Sequence, residues 1–331
     1  MLTISKDYST LIKGIVIIMM VFLHLFSGNR TDLCVNLLYI GNEPMAKWLA
    51  NACGPVDFFL LLSGYGLAYT YDHKGLWITQ QLKRILKLYI HYWIVLLLFV
   101  PIACFMMPEH YPGGWGIFLM NASGWRTTYD APMWFLLPYC GVSMLSPWFF
   151  KLIKRMGYIR MLFITAVIHV ATCYMISRYG SKFLFNNMLI YLPLLVFHFL
   201  YAFTVGILFY YYRNVLTKIP SWIAIITIFF MVILVASFGN ALIYMIYVPL
   251  MFFLLCQISY PKWIDLFLLK LGRQSMLIWM IHIWYCYHLL QPQIYSLKYP
   301  ILILGGTIII SYLTAFPIMW MAKKIFCFLK L

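Results

Sequence analysis

Lys13, His24 and Asp57 are ionisable residues within stretches that are otherwise apolar. Lys13 and His24 lie 11 residues apart in one such stretch. On an α-helix this spacing puts both on one face, about 16 Å apart along the axis. Ionisable groups inside a membrane are costly, so each predicts either a partner or a function. The alternatives are a packed, hydrogen-bonded histidine for His24 and a lysine that extends to the membrane surface for Lys13.

Asp57 favours a functional interpretation, because a buried carboxylate needs a partner or takes up a proton. It follows Gly54 and Pro55 at the start of the second apolar run. Counting residues from the ends of the runs puts Asp57 and His24 in the same, outer half of the membrane. A neighbouring carboxylate fixes the tautomer of an imidazole and raises its basicity. The pair therefore predicts a general base, with a helix-packing contact as the alternative.

Other polar residues carry weaker signals. Ser63, in Ser63-Gly64-Tyr65-Gly66, indicates close helix approach more than a nucleophile, because no base stands beside it in the sequence. Arg84 and Lys87 lie at the inner end of the third run, where they are either topology signals or ligands for the phosphates of an acyl-coenzyme A. The eight cysteines include no C-x-x-C spacing, so no metal site is predicted.

Composition identifies the class of protein. Of the 331 residues, 64% are hydrophobic and only 10% are charged, whereas a soluble domain carries about 25% charged residues. The net charge of +16 comes from cations at the ends of apolar runs, where they face lipid headgroups. We therefore expect membrane lipids as partners and no nucleic acid. We predict a single transmembrane domain over residues 1–331.

Ten apolar runs have lengths suited to transmembrane helices. They are continuous and do not alternate, which favours helices over a β-barrel. With the N-terminus in the cytoplasm, 18 of the 24 Lys and Arg residues fall inside and 6 outside, a bias typical of membrane proteins. The sequence thus predicts an all-α, polytopic bundle of about ten transmembrane helices in the cell (inner or plasma) membrane. The predicted spans are 10–28, 48–71, 84–107, 131–150, 160–178, 188–212, 219–238, 240–257, 271–291 and 299–321.

Five short motifs, taken in order, resemble those of the acyltransferase-3 family, bacterial integral-membrane proteins that O-acylate the sugars of surface polysaccharides and lipopolysaccharides. Each motif alone is mostly apolar, but five in family order within a ten-helix frame are specific. They are Lys13-Gly14-Ile15 with His24, the segment from Gly54 to Gly64 that contains Asp57, Arg84-Ile85-Leu86-Lys87, Met133-Trp134-Phe135-Leu136, and the segment from Gly272 to His282.

Two departures from the family pattern affect the residues that the motifs place. Lys13 stands where the family has arginine, which leaves a point charge in place of a bidentate guanidinium. Pro138-Tyr139-Cys140 stand where one branch of the family has a glutamate, so the acceptor-side role of that glutamate has no counterpart here.

The resemblance implies an O-acyltransferase that moves an acyl group, expected to be acetyl, from cytoplasmic acyl-coenzyme A to a hydroxyl of a cell-surface or lipid-linked glycan. Acetyl-coenzyme A is then a donor substrate, and no permanently bound cofactor is expected. His24 is implied as general base or transient acyl carrier, oriented by Asp57. The implied donor-binding residues are Lys13, Arg84 and Lys87, and the implied acceptor-side residues are Trp134, Ser63 and His282.

Two other functions compete with this interpretation. A transporter or flippase for a glycan or lipid-linked intermediate often shows internal repeats and several intramembrane carboxylates. The sequence shows no repeat, and Asp57 is the one acidic residue placed well inside a predicted span. A structural partner in a polysaccharide-assembly complex would use the polar residues for packing alone. The sequence makes no prediction of oligomeric state.

Overall fold

Helices make up most of the chain in the computed structural model, which describes residues 5–331. Two short strands, β1 (Tyr39–Ile40) and β2 (Glu43–Pro44), pair antiparallel after the first helix. A turn of π-helix, Trp284–Leu289, follows the eleventh helix. The helices are α1 Lys6–Phe26, α2 Met45–Ala50, α3 Pro55–Lys74, α4 Ile78–Met106, α5 Trp115–Ser123, α6 Leu136–Met156, α7 Tyr158–Tyr179, α8 Met188–Tyr211, α9 Ser221–Phe238, α10 Ala241–Leu255, α11 Lys262–Ile283, α12 Gln291–Tyr295 and α13 Pro300–Leu329.

Each of the ten predicted spans overlaps a helix, and the all-α, multi-pass class is confirmed. Within the described residues, eight helices are long and apolar enough to cross a membrane: α1, α4, α6 with the turn before it, α7, α8, α9, α11 with its π-turn, and α13. The remaining two are α3 and α10. Helix α10 has 15 residues, and such a helix extends about 22 Å. Helix α3 is less apolar, since it includes Asp57, Asp72 and several tyrosines and glycines.

The connection between α9 and α10 is the tight turn that Phe238-Gly239-Asn240 predicts. The Asn240 Oδ1 atom accepts hydrogen bonds from the backbone N–H groups of Leu242 and Ile243, each at 3.0 Å. These bonds satisfy two of the N–H groups that a helix leaves unpaired in its first turn. The side chain of Asn240 therefore fixes where α10 begins.

The chain forms two compact units, each assembled from separate segments. Unit 1 contains residues 5–9, 54–82 and 135–261, and in it α3, α6 and α7 all pack against α8. Unit 2 contains residues 10–53, 83–134 and 262–331. Its most enclosed helix is α11, which packs against α13 and is buried at every position from Leu277 to Ile283. The single domain over 1–331 stays a prediction.

Glycines allow helices to approach closely in unit 1. A Cβ atom on Gly64 of α3 would lie 2.1 Å from the Phe203 carbonyl oxygen of α8, and one on Gly206 of α8 would lie 1.9 Å from the Leu61 carbonyl oxygen. Neither helix could come so near with a larger residue at these positions. The prediction that small residues around Ser63 serve helix packing is confirmed for Gly64, whereas Gly66 faces open space.

In unit 2, glycines allow the same close approach between α1 and α11. A Cβ atom on Gly14 would lie 2.2 Å from the Leu268 carbonyl oxygen, and one on Gly272 would lie 1.8 Å from the Thr10 carbonyl oxygen. Backbone meets backbone at both points, so rotation of a side chain cannot relieve a clash. These two glycines therefore set the separation of α1 and α11.

We expect Gly64→Ala to lower the melting temperature of the detergent-solubilised protein, because the added methyl group would overlap a backbone oxygen and cost about 1–3 kcal/mol. Gly66→Ala, two residues away on the same helix, is the matched control. It should be neutral or stabilising by about 0.5–1 kcal/mol, because alanine favours the helix interior. Equal melting temperatures for the two variants would contradict the packing described for α3 and α8.

Candidate active site

A pair of histidines lies near the C-terminal ends of α1 and α11 in unit 2. The His24 Nδ1 atom and the His282 Nε2 atom are 2.9 Å apart, a hydrogen-bonding distance. His282 is completely buried and His24 is half-buried. Both residues were predicted site residues, but they were assigned separate roles. The structure brings them into direct contact.

The hydrogen bonds of His282 determine where its proton is. Its Nδ1 atom lies 3.0 Å from the Ile278 carbonyl oxygen, which can only accept a hydrogen bond, so Nδ1 carries the proton. In the neutral ring Nε2 then has a lone pair and accepts from His24 Nδ1–H. The second nitrogen of His24, Nε2, is consequently left without a proton. That is the state required of a general base.

Two tyrosines hold the end of α1. The Tyr287 hydroxyl, on the π-helical turn, donates to the His24 carbonyl at 2.5 Å, and the Tyr295 hydroxyl donates to the Leu25 carbonyl at 2.9 Å. The last carbonyls of a helix have no partner within it, so these bonds satisfy groups that lipid would leave unpaired. The Arg30 guanidinium lies 3.8 Å from the centre of the Tyr287 ring. A cation is thus placed beside the histidine pair.

A cavity of about 510 Å³ opens next to this turn. Tyr287 lines it and also binds the His24 backbone, so one side chain joins the cavity to the histidine pair. The Tyr111 hydroxyl lies 3.3 Å from His288 Nδ1 on the cavity wall. The other lining residues, a mixture of polar and apolar side chains, are Met107, His110, Ile117, Arg126, Thr128 and Tyr129. Such a wall suits a ligand with both hydroxyl groups and apolar faces.

Asp57 lies in unit 1, in the first turn of α3. It lines a small cavity of about 10 Å³ together with His169, Tyr201 and Tyr244, a volume that holds about one water molecule. The pairing of Asp57 with His24 stays a prediction. His282 already supplies His24 with the acceptor that the sequence analysis assigned to a carboxylate. Ser63 is half-buried on the same helix as Asp57.

The predicted donor-binding residues lie in unit 2 on α1 and the first part of α4. Lys13 is half-buried, one residue before Gly14, and Arg84 is exposed. The Lys87 Nζ atom lies 5.4 Å from the centre of the Phe326 ring of α13, near the end of that helix. Unit 2 has further exposed cations in this region, namely Lys323 and Lys324 on the last turns of α13 and Lys330 just after the helix ends.

Trp134 occupies the 3-10 turn Ala131–Phe135 that precedes α6. Its side chain is 42% exposed, whereas the preceding Met133 is completely buried. The Trp279 indole of α11 donates to the Pro132 carbonyl at 3.2 Å, which attaches this turn to the helix that carries His282. An acceptor-side role for Trp134 is untested and stays a prediction.

Sequence reasoning missed Arg30, Tyr111, Tyr287, His288 and Asp130. Arg30 and Asp130 lie outside the predicted spans. They were not selected because only ionisable groups inside a span were interpreted as functional. The tyrosines stood among 26 in the chain, most of which were interpreted as interfacial anchors. A phenol that binds a distant helix carbonyl has no sequence signature.

Asp130 is completely buried in unit 2, just before the turn that carries Trp134. Neither of its carboxylate oxygens has a hydrogen-bond partner among the described residues. Burial raises the pKa of Asp130 well above its usual value, because the charged form loses its hydration. Asp130 also interacts electrostatically with Tyr92, Tyr111 and Cys286. The carboxyl group therefore favours the protonated, neutral form.

Comparison with known proteins identifies the family of the chain. The acyltransferase-3 family model, described as an acyltransferase domain, matches residues 6–320, a stretch that includes segments of both units. No curated protein and no solved structure matches the chain. The match covers nearly the whole chain and includes both His24 and His282.

We expect Asp130→Asn to be more stable than the wild type above pH 7, with a difference that shrinks toward pH 5. A raised folded-state pKa means that stability is fully present below the usual Asp pKa and is lost as the pH rises through the folded value. Each unit of raised pKa corresponds to about 1.4 kcal/mol. Melting temperatures measured from pH 5 to pH 9 test this, with exposed Asp32→Asn as control. Parallel curves for Asp130→Asn and the wild type would contradict it.

Proposed function

Because the chain belongs to the acyltransferase-3 family and is an acyltransferase, we propose that it transfers an acyl group, in the first instance acetyl, from a cytoplasmic acyl-coenzyme A to a hydroxyl of a cell-surface or lipid-linked glycan. His24 is the general base. The observation that carries this proposal is the hydrogen-bond chain from the Ile278 carbonyl through His282 to His24, which leaves His24 Nε2 unprotonated.

The proton path follows from that chain. The acceptor hydroxyl loses its proton to His24 Nε2 as its oxygen attacks the thioester carbonyl carbon. The new C–O bond forms, the C–S bond breaks, and the thiolate of coenzyme A leaves with the electron pair. The positive charge on His24 is stabilised because its Nδ1–H already donates to His282 Nε2. Proton removal of this kind contributes a factor of about 10²–10⁴ to the rate.

The family also allows a covalent route, in which His24 Nε2 itself attacks the thioester and carries the acyl group to the glycan. The same unprotonated nitrogen serves both routes. In neither route does His24 require a carboxylate partner, since His282 supplies the acceptor for its Nδ1–H. Asp57 is therefore proposed as a secondary group whose loss costs less activity than the loss of His24.

The acceptor site is proposed at the cavity of about 510 Å³ in unit 2. Its volume lies within the range of small-ligand pockets. Tyrosine rings can pack on the apolar face of a sugar, while Arg126, Thr128 and the imidazole of His288 offer hydrogen bonds to its hydroxyls. In the predicted orientation α1 runs outward, so His24 and the cavity lie toward the outer face, where surface glycans are found.

The donor site is proposed at the opposite end of unit 2. Lys13, Arg84 and Lys87 lie toward the predicted cytoplasmic ends of α1 and α4, and exposed cations of α13 add to the positive charge. Guanidinium and ammonium groups suit the phosphates of coenzyme A. Lipid headgroups would attract the same cations, so the donor role needs a test that separates phosphate recognition from topology.

His24→Ala should lower acyl transfer at least about 100-fold in membranes supplied with labelled acyl-coenzyme A and glycan acceptor, because no other group takes the hydroxyl proton. His282→Leu should lower kcat more than KM, and His282→Gln should recover part of the loss, since the glutamine oxygen can accept from His24 Nδ1–H. His73→Ala, at the exposed end of α3, is the control. Full activity of His24→Ala would contradict the proposal. If the wild-type protein transports glycan but forms no product that depends on the acyl donor, a transporter would be favoured.

The double variant Arg84→Ala/Lys87→Ala should raise KM for acetyl-coenzyme A while changing KM for acetyl-pantetheine little, because the second donor lacks the nucleotide phosphates. Lys151→Ala, an exposed cation on α6 of unit 1, is the control for general loss of surface charge. The measurement is the ratio of kcat/KM for the two donors. If this ratio is the same in the double variant and the wild type, these cations serve topology and not donor binding.

A further inference from the structure

Three side chains with metal-binding atoms converge in unit 1, and none of the three has a role in the proposed reaction. His169 and Cys173 lie four residues apart on α7, so they share a face of that helix. His198 comes from α8, which packs against α7. One ring nitrogen of each histidine and the Cys173 Sγ atom all lie within 4.8 Å of one another.

The hydrogen bonds of His169 leave one of its nitrogens available. Its Nδ1–H donates to the His198 carbonyl at 3.0 Å, so Nε2 carries a lone pair in the neutral ring. Nε2 is buried and makes no hydrogen bond of normal geometry among the described residues, although the Ala241 carbonyl lies near the ring. His169 as a whole is only 4% exposed. A buried nitrogen whose partner atom is fixed by a backbone carbonyl is the arrangement found in metal-binding histidines.

His198 is held by Thr172, on the same helix as Cys173. The Thr172 hydroxyl donates to the His169 carbonyl at 2.8 Å, so it can only accept from His198 Nδ1–H at 3.0 Å. The same Nδ1 atom lies 3.9 Å from Cys173 Sγ, so it is the nitrogen of His198 that faces the cysteine, and binding of a metal ion there would move its proton to Nε2. The two imidazole rings stack with their centres 4.0 Å apart. One threonine and one backbone carbonyl thus orient both rings before any ligand binds.

A carboxylate is available to complete the set. Asp57 and His169 line the same cavity of about 10 Å³, and Asp57 interacts electrostatically with Cys173. A divalent cation bound by one thiolate, one carboxylate and two neutral imidazoles has no net charge. Electroneutrality matters here, because a net charge within the membrane is costly. It would also give the buried carboxyl group of Asp57 the partner that the sequence analysis expected for it.

We propose that His169, Cys173 and His198, with Asp57 as the fourth ligand, bind one Zn²⁺ ion. Four ligands of nitrogen, sulfur and oxygen suit tetrahedral zinc, whose bonds of about 2.0–2.3 Å hold ligand atoms about 3.3–3.8 Å apart. The three ligand atoms of His169, Cys173 and His198 lie within 4.8 Å of one another, so side-chain rotation would have to bring them closer to close the site. The ion would clamp α7 to α8 and to the start of α3. The sequence predicted no metal site because a site built from three helices leaves no C-x-x-C spacing.

Co²⁺ is the spectroscopic probe for this site, since it adopts zinc geometry and its thiolate complexes absorb in the near ultraviolet. The purified full-length protein, stripped with a chelator, should bind one Co²⁺ per chain with a thiolate charge-transfer band and intense visible bands typical of tetrahedral cobalt. One equivalent of Zn²⁺ should displace it. Cys173→Ser, nearly isosteric, should lose the charge-transfer band, and His169→Ala should bind Co²⁺ at least 10-fold more weakly. Cys327→Ser and His73→Ala are the controls.

Metal content and spectra are read without any acyl-transfer assay, so failure of this proposal and failure of the acyltransferase mechanism are distinguishable. The proposal is overturned if folded wild-type protein binds neither Co²⁺ nor Zn²⁺ at one per chain. It is equally overturned if the cobalt spectrum of Cys173→Ser matches that of the wild type. Folding of each variant is checked by its melting temperature, and Cys173→Ser keeps the test informative if His169→Ala does not fold.

Discussion

An imidazole enclosed by lipid and protein finds its hydrogen-bond partners inside the molecule, and the account of unit 2 depends on which nitrogen those partners leave unprotonated. The Ile278 carbonyl takes the proton of His282 Nδ1, and His282 Nε2 takes the hydrogen bond of His24. A backbone carbonyl on α11 thus decides which nitrogen of His24 is basic, and no carboxylate is needed for that decision.

The position of this pair rests on the glycine contacts of α1 and α11. His24 follows Gly14 by ten residues, and His282 follows Gly272 by ten residues. Because the two helices run the same way from their point of closest approach, equal steps of about 15 Å bring both histidines to the same height. The tyrosines of the π-turn and of α12 then fasten the end of α1. The glycine contacts that position the two helices therefore also position the two histidines. A larger residue at either glycine would displace the imidazoles relative to each other.

Sequence patterns predicted the helices of this protein well, because each membrane helix satisfies its own backbone and shows itself as a continuous apolar run. Predicted 188–212 and observed Met188–Tyr211 agree closely. Helix α11 begins nine residues before its predicted start, because its first turns, with Lys262, Asp265 and Lys270, are helical without being apolar. The predicted span 240–257 is a helix of only 15 residues. Hydropathy locates the apolar part of a helix, and it does not locate the residues at which the helix begins and ends.

Partners between helices were harder to predict, since depth in the membrane does not tell which helices are neighbours. His24 and His282 were both selected by residue type and family motif, but 258 positions separate them and nothing in the sequence pairs them. Asp57 was matched to His24 by depth and by family motif, and this pairing stays a prediction; within unit 1, Asp57 lines a small cavity with His169 and Tyr201. The tautomers of the four histidines that matter depend on backbone carbonyls and one threonine, which carry no recognisable pattern.

The most direct test of the central claim is ¹⁵N NMR of the protein labelled at histidine and reconstituted in detergent, with signals assigned through His24→Asn and His282→Asn. At pH 7.5 the account predicts that both rings are neutral and carry their proton on Nδ1, with a hydrogen bond from His24 Nδ1–H to His282 Nε2. A resting state with the proton of His24 on Nε2 would contradict it, because the atom assigned to accept the hydroxyl proton would already hold one.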